Sequence, residues 1–387
     1  MEIKQVHSLV NGATQQVLGE TAVLEEDLSN VVDIGTQIFN ANSLDRFVNA
    51  LIDRIGRTVF VARVYSGVAP SVLMDQMEYG CVLMKVSGGL PDATINEDWS
   101  LVDGASYDPN IFYQPQVTAK FFQKRVTFEV NRSIARKQVM SAFNGPDELN
   151  QFVSMLFIDV ENSITVKMDS LISMTIANMI GETFAAEFPS GDGFDADSKV
   201  KAVNLLHLYK AKFPDDNTIT ADDALTNREF IRFAAYTMGL YSDRLKKMST
   251  LFNIGKQPRF TPEDRLHFIT LSDFATAADV YLQSSTYHDV YTRLPMSEKV
   301  PYWQGSGEDY AFGSISEIHI KTASGKDITA TGILGVMFDR YALGVSKLER
   351  EVNTHFNPKA SFYNYFYKQF AGYYNDTNEN FVVFYIA

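Results

Sequence analysis

His7, His207, His267, His288, His319 and His355 are the six histidines of the chain, and no two stand one helical turn apart as a metal-binding pair would. Sequence patterns for a phosphate loop, a nucleophile elbow and a paired-histidine zinc protease are absent. Gly305-Ser306-Gly307-Glu308-Asp309 begins as a phosphate cradle does, yet acids stand where phosphate charge would sit, which favours an ordinary turn. Asp192, Asp195 and Asp197 offer oxygens for calcium, but Lys199 takes the next ligand place, which favours a solvated acidic loop. Asp215-Asp216 and Asp222-Asp223 are carboxylate pairs of the kind a hydrolase uses. Beside Pro214 and Thr220 they read more simply as turn and helix caps. Arg132, Arg136 and Lys137 form a basic cluster that suits a phosphate or DNA contact; a salt bridge to a neighbour's carboxylates is the favoured reading. Cys81 is the only cysteine, which rules out an internal disulfide and a cysteine-built zinc site. The residues therefore assign no catalytic group, no cofactor-binding group, no metal ligand and no cofactor.

Composition points the same way. A chain of 387 residues holds two or three domains and a sizeable core. Aromatics are the outlier, with 28 Phe and 19 Tyr against 2 Trp, and such side chains carry large burial energies in cores and interfaces. The net charge of −13 argues against a sequence-independent nucleic-acid binder, which needs surplus cations to displace counterions. It equally opposes docking on acidic membranes. A wall around DNA that it does not grip would benefit from it. Met1–His7 carries an early acid and no apolar stretch behind it, so no signal peptide is expected. No apolar run reaches the roughly 20 residues of a membrane span.

Residues 1–42 scatter Val17, Leu18, Val23, Leu24 and Leu28 among polar residues and predict an extended or weakly helical arm, ordered by neighbours. From Ser43, apolar residues at helical spacing run to Gly56, which predicts a helix stopped there. Thr58–Tyr65 is β-branched and aromatic, hence a strand. Residues 66–120 are punctuated by Gly and Pro and predict a long excursion with strand character, including Cys81–Val86. Lys120–Val130 alternates as a returning strand. Pro146, Asp147 and Glu148 then open the longest helix signal, which holds one apolar face from Leu149 to Ile180 and ends at Gly181. At 1.5 Å per residue it would be about 50 Å long. A loop follows at 185–197. Helices are expected at Lys199–Lys212, Asn227–Met248 and Ser272–Leu282, and strands at Arg265–Leu271, Ile315–Lys321 and Ile333–Phe338, with a loop at 295–313. The last strand, Phe381–Ile386, must be paired to avoid aggregation. The aromatics before it are expected mainly to fill the chain's own core.

Several stretches resemble a known family. Glu161-Asn162-Ser163-Ile164-Thr165-Val166-Lys167-Met168-Asp169 and Ala177-Asn178-Met179-Ile180-Gly181-Glu182 look like the spine helix of major capsid proteins from tailed bacteriophages of Gram-positive hosts. Gly335-Val336-Met337-Phe338-Asp339-Arg340-Tyr341-Ala342-Leu343-Gly344 looks like their return strand. Asn357-Pro358-Lys359, Asn364-Tyr365-Phe366, Asp376, Glu379-Asn380 and Val383-Phe384 look like their C-terminal block. The resemblance implies the α+β capsid fold shared with encapsulins and the herpesvirus capsid floor. Its parts would be an N-terminal arm (1–42), a helix and strand (43–65), and an extended β-loop with its return strand (66–130). A peripheral domain (131–197) would follow, with a spine helix at 146–181 and a long sheet. An axial domain (198–330), a peripheral re-entry (331–356) and an axial C-terminal segment (357–387) would complete the chain.

The implied function is mechanical. Subunits would assemble as hexamers and pentamers into an icosahedral capsid around phage double-stranded DNA, touched on the inner face without sequence specificity. Implied partners are further copies, a portal protein and, because only about 42 residues precede the first helix, a separate scaffolding protein. The implied place is the virion, with assembly in the host cytoplasm and no membrane partner. The alternatives are an encapsulin-type protein compartment and a soluble enzyme. Some relatives also crosslink a lysine to a neighbour's asparagine, for which Lys85 with Asn353 or Asn357 are the conceivable partners. A denaturing gel of mature particles tests this: a ladder of multiples supports it, and a single band at monomer mass rules it out.

Overall fold

The computed structural model describes residues 3–41, 43–61, 69–74, 83–88, 102–105, 108, 110–114, 117–190, 193–195, 197–216, 218–283, 297–303, 318–323 and 325–387. The N-terminal segment is helical and packed, which corrects the expected arm. Helix α1 (Ile3–Leu18), helix α2 (Val31–Asn40) and helix α3 (Leu44–Val61) lie against one core. Val6, Val10, Ile34, Ile38, Phe47 and Leu51 are buried there. The apolar residues that look scattered in the sequence fall on single helical faces. In a folded chain most helical stability comes from burying such a face. The turn between the first two is tied by Asn11 Oδ1, which accepts the Leu24 N–H at 2.9 Å, and by His7 Nε2, 2.8 Å from the Leu24 carbonyl. The third helix runs through Gly56 and takes in Thr58–Val61, where a strand was expected. A glycine costs a helix only about 1 kcal/mol, which the packing of α3 outweighs. Residues 62–65 of that expected strand lie outside the described residues.

Strand β1 (Leu73–Met74) is followed by strands β2 (Leu83–Gly88), β3 (Val117–Phe122) and β4 (Arg125–Ala135). The second and third pair antiparallel as a hairpin, Lys85 opposite Lys120. The expected single return strand over 120–130 is thus two strands, broken at 123–124 and belonging to different sheets. Helix α4 (Arg136–Ala142) leads to helix α5 (Pro146–Glu187), which at 42 residues spans about 63 Å. It passes the expected stop at Gly181 by six residues, so the loop expected from 185 begins at 188. A Cβ on Gly181 would lie 2.8 Å from Ile320 Cγ2, so this glycine admits a strand against the helix rather than ending it.

The remaining elements are β5 (Ala202–Asn204), α6 (Leu205–Lys212), α7 (Ala221–Ala224), α8 (Arg228–Leu245), β6 (Leu266–Leu271), α9 (Ser272–Gln283), β7 (Glu298–Val300), β8 (Ile318–Lys321), β9 (Asp327–Ala330), β10 (Ile333–Asp339), β11 (Leu343–Asn357), β12 (Phe362–Asn375) and β13 (Phe381–Tyr385). The helix expected over 199–212 opens instead with strand β5. Its residues Ala202 and Val203 are fully buried beside β13. Residues 304–317, with Gly305–Asp309, lie outside the described residues.

Two sheets organise the chain. One has the order β1-β11-β12-β4, and the other β5-β13-β10-β6-β7. The second is buried on both faces. Val336, Phe338, Phe381, Val383 and Tyr385 point to the core shared with α5 and the N-terminal helices. Leu334, Met337, Val382, Phe384 and Ile386 point to a second core with α6, α8 and α9. The chain passes between the sheets at 340–342 and returns at 376–380. The long hairpin of β11 and β12 is therefore one unit, and the expected division at 356–357 falls inside it. Strand pairing decides this: antiparallel neighbours joined by a tight turn stay in one sheet.

Replacing Gly181 by Ala sets helix propensity, worth about 1 kcal/mol, against a clash with Ile320 Cβ and Cγ2. Overpacking costs roughly 1–3 kcal/mol, so the net expectation is a loss of about 1 kcal/mol. Chemical denaturation of Gly181→Ala reads it; a gain in stability would show that Ile320 yields freely.

Candidate assembly surfaces

Among the described residues, none of those singled out for chemistry is gathered into a reactive cluster. Arg132 pairs with Asp159 of the chain's own long helix at 2.7 Å, where a neighbour's carboxylate was expected. Arg136 and Lys137 start α4, whose Arg136 N–H donates to the Ser361 carbonyl. Asp197 pairs with Lys199 and accepts the Ser198 N–H, as a loop does; Asp192 lies outside the described residues. Asp216 accepts the Tyr209 hydroxyl at 2.6 Å, and burial followed by this contact pushes that phenol up to about 12. Thr220 caps α7 through the Asp223 N–H. Among the described residues no group of three or more His, Cys, Asp and Glu side chains is placed to hold a metal, and no helix is long and apolar enough to cross a membrane.

The C-terminal aromatics fill the chain's own interior. Tyr363, Tyr365 and Tyr367 alternate inward along β12, and the Tyr367 hydroxyl donates to the Ile52 carbonyl at 2.8 Å. Phe381, Phe384 and Tyr385 are buried in the five-stranded sheet. Large apolar side chains reach solvent elsewhere. Phe112 and Tyr113 are 83% and 82% exposed. Met84, Val86, Val117 and Phe121 are exposed on one face of the β2–β3 hairpin. Their register puts Met84 opposite Phe121 and Val86 opposite Ala119, so they form a continuous strip. Contiguous exposed apolar surface marks a place where something binds.

The other hairpin face is charged and engaged. Lys85 Nζ lies 2.7 Å from Asp376 Oδ2 and 2.7 Å from Glu379 Oε1, and Lys120 Nζ lies 2.9 Å from Asp376 Oδ1. Arg259 Nε reaches Glu379 at 3.2 Å. The Asp376 and Glu379 side chains are 1% and 8% exposed. Burial alone would raise the Asp376 carboxyl, but the hydrogen bonds and charge of Lys85, then Lys120 and the Asn378 N–H, hold it below its ordinary 3.8. Sequence reasoning singled out Lys85 as a crosslinking lysine and passed over this role. The only available signal was charge at two facing positions of an otherwise apolar hairpin. Asn353 and Asn357 stand toward the other end of β11, roughly 35 Å and 50 Å along the strand from the clamp, and Asn357 Oδ1 accepts the N–H groups of Lys359 and Ala360.

Comparison with known proteins completes the description. The family model for the Phi29-like phage major capsid protein matches residues 6–385. The fold is similar to a chain of the capsid of Staphylococcus phage Andhra, with a TM-score of 0.51 and 10% identity, covering 84% of this chain and 86% of that one. It is also similar to a chain in the structure of the head fibre and inner core protein gp22 of native bacteriophage P68, with a TM-score of 0.50 and 8% identity over 85% and 87% of the two chains. Comparison with curated protein sequences gives no match.

The depressed Asp376 carboxyl has a defined pH signature. It stabilises the fold at every pH above its ordinary 3.8, and the contribution is lost as pH falls through the lower folded-state value. The Asp376 share of the acid loss in melting temperature therefore sets in only below about pH 4, and the difference between the wild type and Asp376→Asn shrinks there. A difference between the two that shrinks already near pH 6 would show that Asp376 is not held below its ordinary value.

Proposed function

The chain belongs to the Phi29-like phage major capsid protein family, and from that premise we propose that it closes as hexamers and pentamers into an icosahedral shell around phage double-stranded DNA. The role is structural. The observation that carries the finer reading is the apolar strip of Met84, Val86, Val117 and Phe121, exposed on a hairpin with none of the other described residues covering it. In this reading the hairpin lies over an adjacent copy. A head-to-tail contact of this kind, between two different surfaces, generates rings where its rotation closes. The long sheet with α5 forms the outer, peripheral part of each subunit, and the five-stranded sheet with α6, α8 and α9 gathers around the five- and six-fold centres. The net charge of −13 lets packed DNA lie against the wall without being gripped. A portal protein and a separate scaffolding protein are the further partners, assembly takes place in the host cytoplasm, and the product is the virion shell.

Electron microscopy of the purified full chain, alone and with its scaffold, tests the reading. Rings and closed shells are expected with the scaffold; protein that stays monomeric under every condition sinks the assembly reading, and uniform shells from the chain alone sink the separate scaffold. Shells holding a protein cargo and no DNA identify a compartment of the encapsulin kind. Phe121→Asp should leave subunit stability within about 0.5 kcal/mol, as exposed substitutions do. It should cut the assembled fraction about tenfold, a contact loss near 1.4 kcal/mol.

A further inference from the structure

The hairpin of β2 and β3 has two faces with opposite demands. Its outer strip is apolar and open, and its inner face carries Lys85 directly opposite Lys120. Like charges facing across an antiparallel pair repel, and a two-stranded hairpin is marginal by itself. Something outside the hairpin must therefore hold it. Packing holds only one end of it: Phe122 lies against Tyr374 with ring centroids 5.0 Å apart, while toward the other end an open cleft lies beneath the hairpin, lined by Lys85 and Ser87 above and by Met248, Pro258, Phe260 and Tyr341 below. What bridges the gap is charge. Both lysines converge on Asp376, and Lys85 also takes Glu379, which Arg259 holds from the far side.

The location of those carboxylates matters. Asp376 and Glu379 sit on the 376–380 return between the two sheets. The Lys85 amine also reaches the Tyr341 carbonyl, on the outgoing passage at 340–342, at 3.4 Å. The two passages are joined to each other, since the Asp376 N–H donates to the Ala342 carbonyl at 2.6 Å. The hairpin is thus fastened where the chain crosses in both directions between the long sheet and the five-stranded sheet.

We propose that Lys85 and Lys120, clamped on Asp376 and Glu379, are positioning residues that set the direction in which the apolar strip is offered to a second copy of the chain. The proposal rests on the reading of that strip as a contact between copies. Because the clamp grips both passages, a change in the angle between the two sheets carries the hairpin with it, and the strip moves as part of the subunit frame. The four charges do not touch the neighbouring copy. They act through the hairpin.

The test uses the full chain with its scaffold, in four variants. Lys85→Met with Lys120→Met removes the clamp while leaving the 376–380 turn its own hydrogen bonds. Amide exchange of residues 83–88 and 117–122 should rise about tenfold with core amides unchanged. The assembled fraction, read by sedimentation and electron microscopy, should fall about tenfold. Lys85→Arg with Lys120→Arg restores the charge and should restore both readouts; Asp376→Asn should reproduce the loss from the other side. Normal assembly of the double Met variant, or failure of the double Arg variant to rescue it, overturns the clamp. Phe121→Asp separates the two readings: if it assembles normally the strip is no contact, whereas if it fails while the double Met variant assembles, only the clamp is wrong.

Discussion

Everything else hangs on the five-stranded sheet having no face to water. β10 and β13 are apolar at every position that counts, so helices or sheets must cover them on both sides. One side takes the long helix and the N-terminal helices; the other takes α6, α8 and α9. A single central layer thereby makes two cores, and the two halves of the subunit share it. Strand β13 lies between β5 and β10, in the interior of this sheet.

A two-cored subunit needs the chain to cross between its sheets, and the crossings are where polar groups are buried. Asp339, Asp376, Glu379 and Asn380 sit within a few residues of one another there, all largely out of solvent. Each has a partner: Arg265 reaches Asp339, Lys85 and Lys120 reach Asp376, Arg259 reaches Glu379, and Asn380 donates to Thr261. Buried charges are tolerable only when paired. The same requirement that neutralises the crossing also recruits the hairpin to it.

Aromatic surface is divided between the interior and solvent. The tyrosines of β12 and the phenylalanines of β13 are spent on the interior, while Phe112, Tyr113 and Phe121 stay outside. Among the described residues the polar groups singled out in the sequence serve as caps, loop ties and a clamp. The family match over residues 6–385 agrees with that division.

The long helix, the terminal strand and the apolar strand at 333–338 were legible in the amino-acid order alone, because each has one strong period or one unbroken apolar run. So was the family, through the blocks around Glu161–Asp169 and Gly335–Gly344. Tertiary structure decided the rest. Whether Gly56 and Gly181 end a helix depends on energies near 1 kcal/mol, which packing overrides. Whether residues 3–41 are an arm or two helices depends on a face to bury against, which no local pattern contains. The partners of Lys85 and Lys120 lie some 250 residues and more away in sequence, brought near only by the sheet crossings. Local order dictates what each segment can be; which of those options is cheapest is settled by what the rest of the chain places beside it.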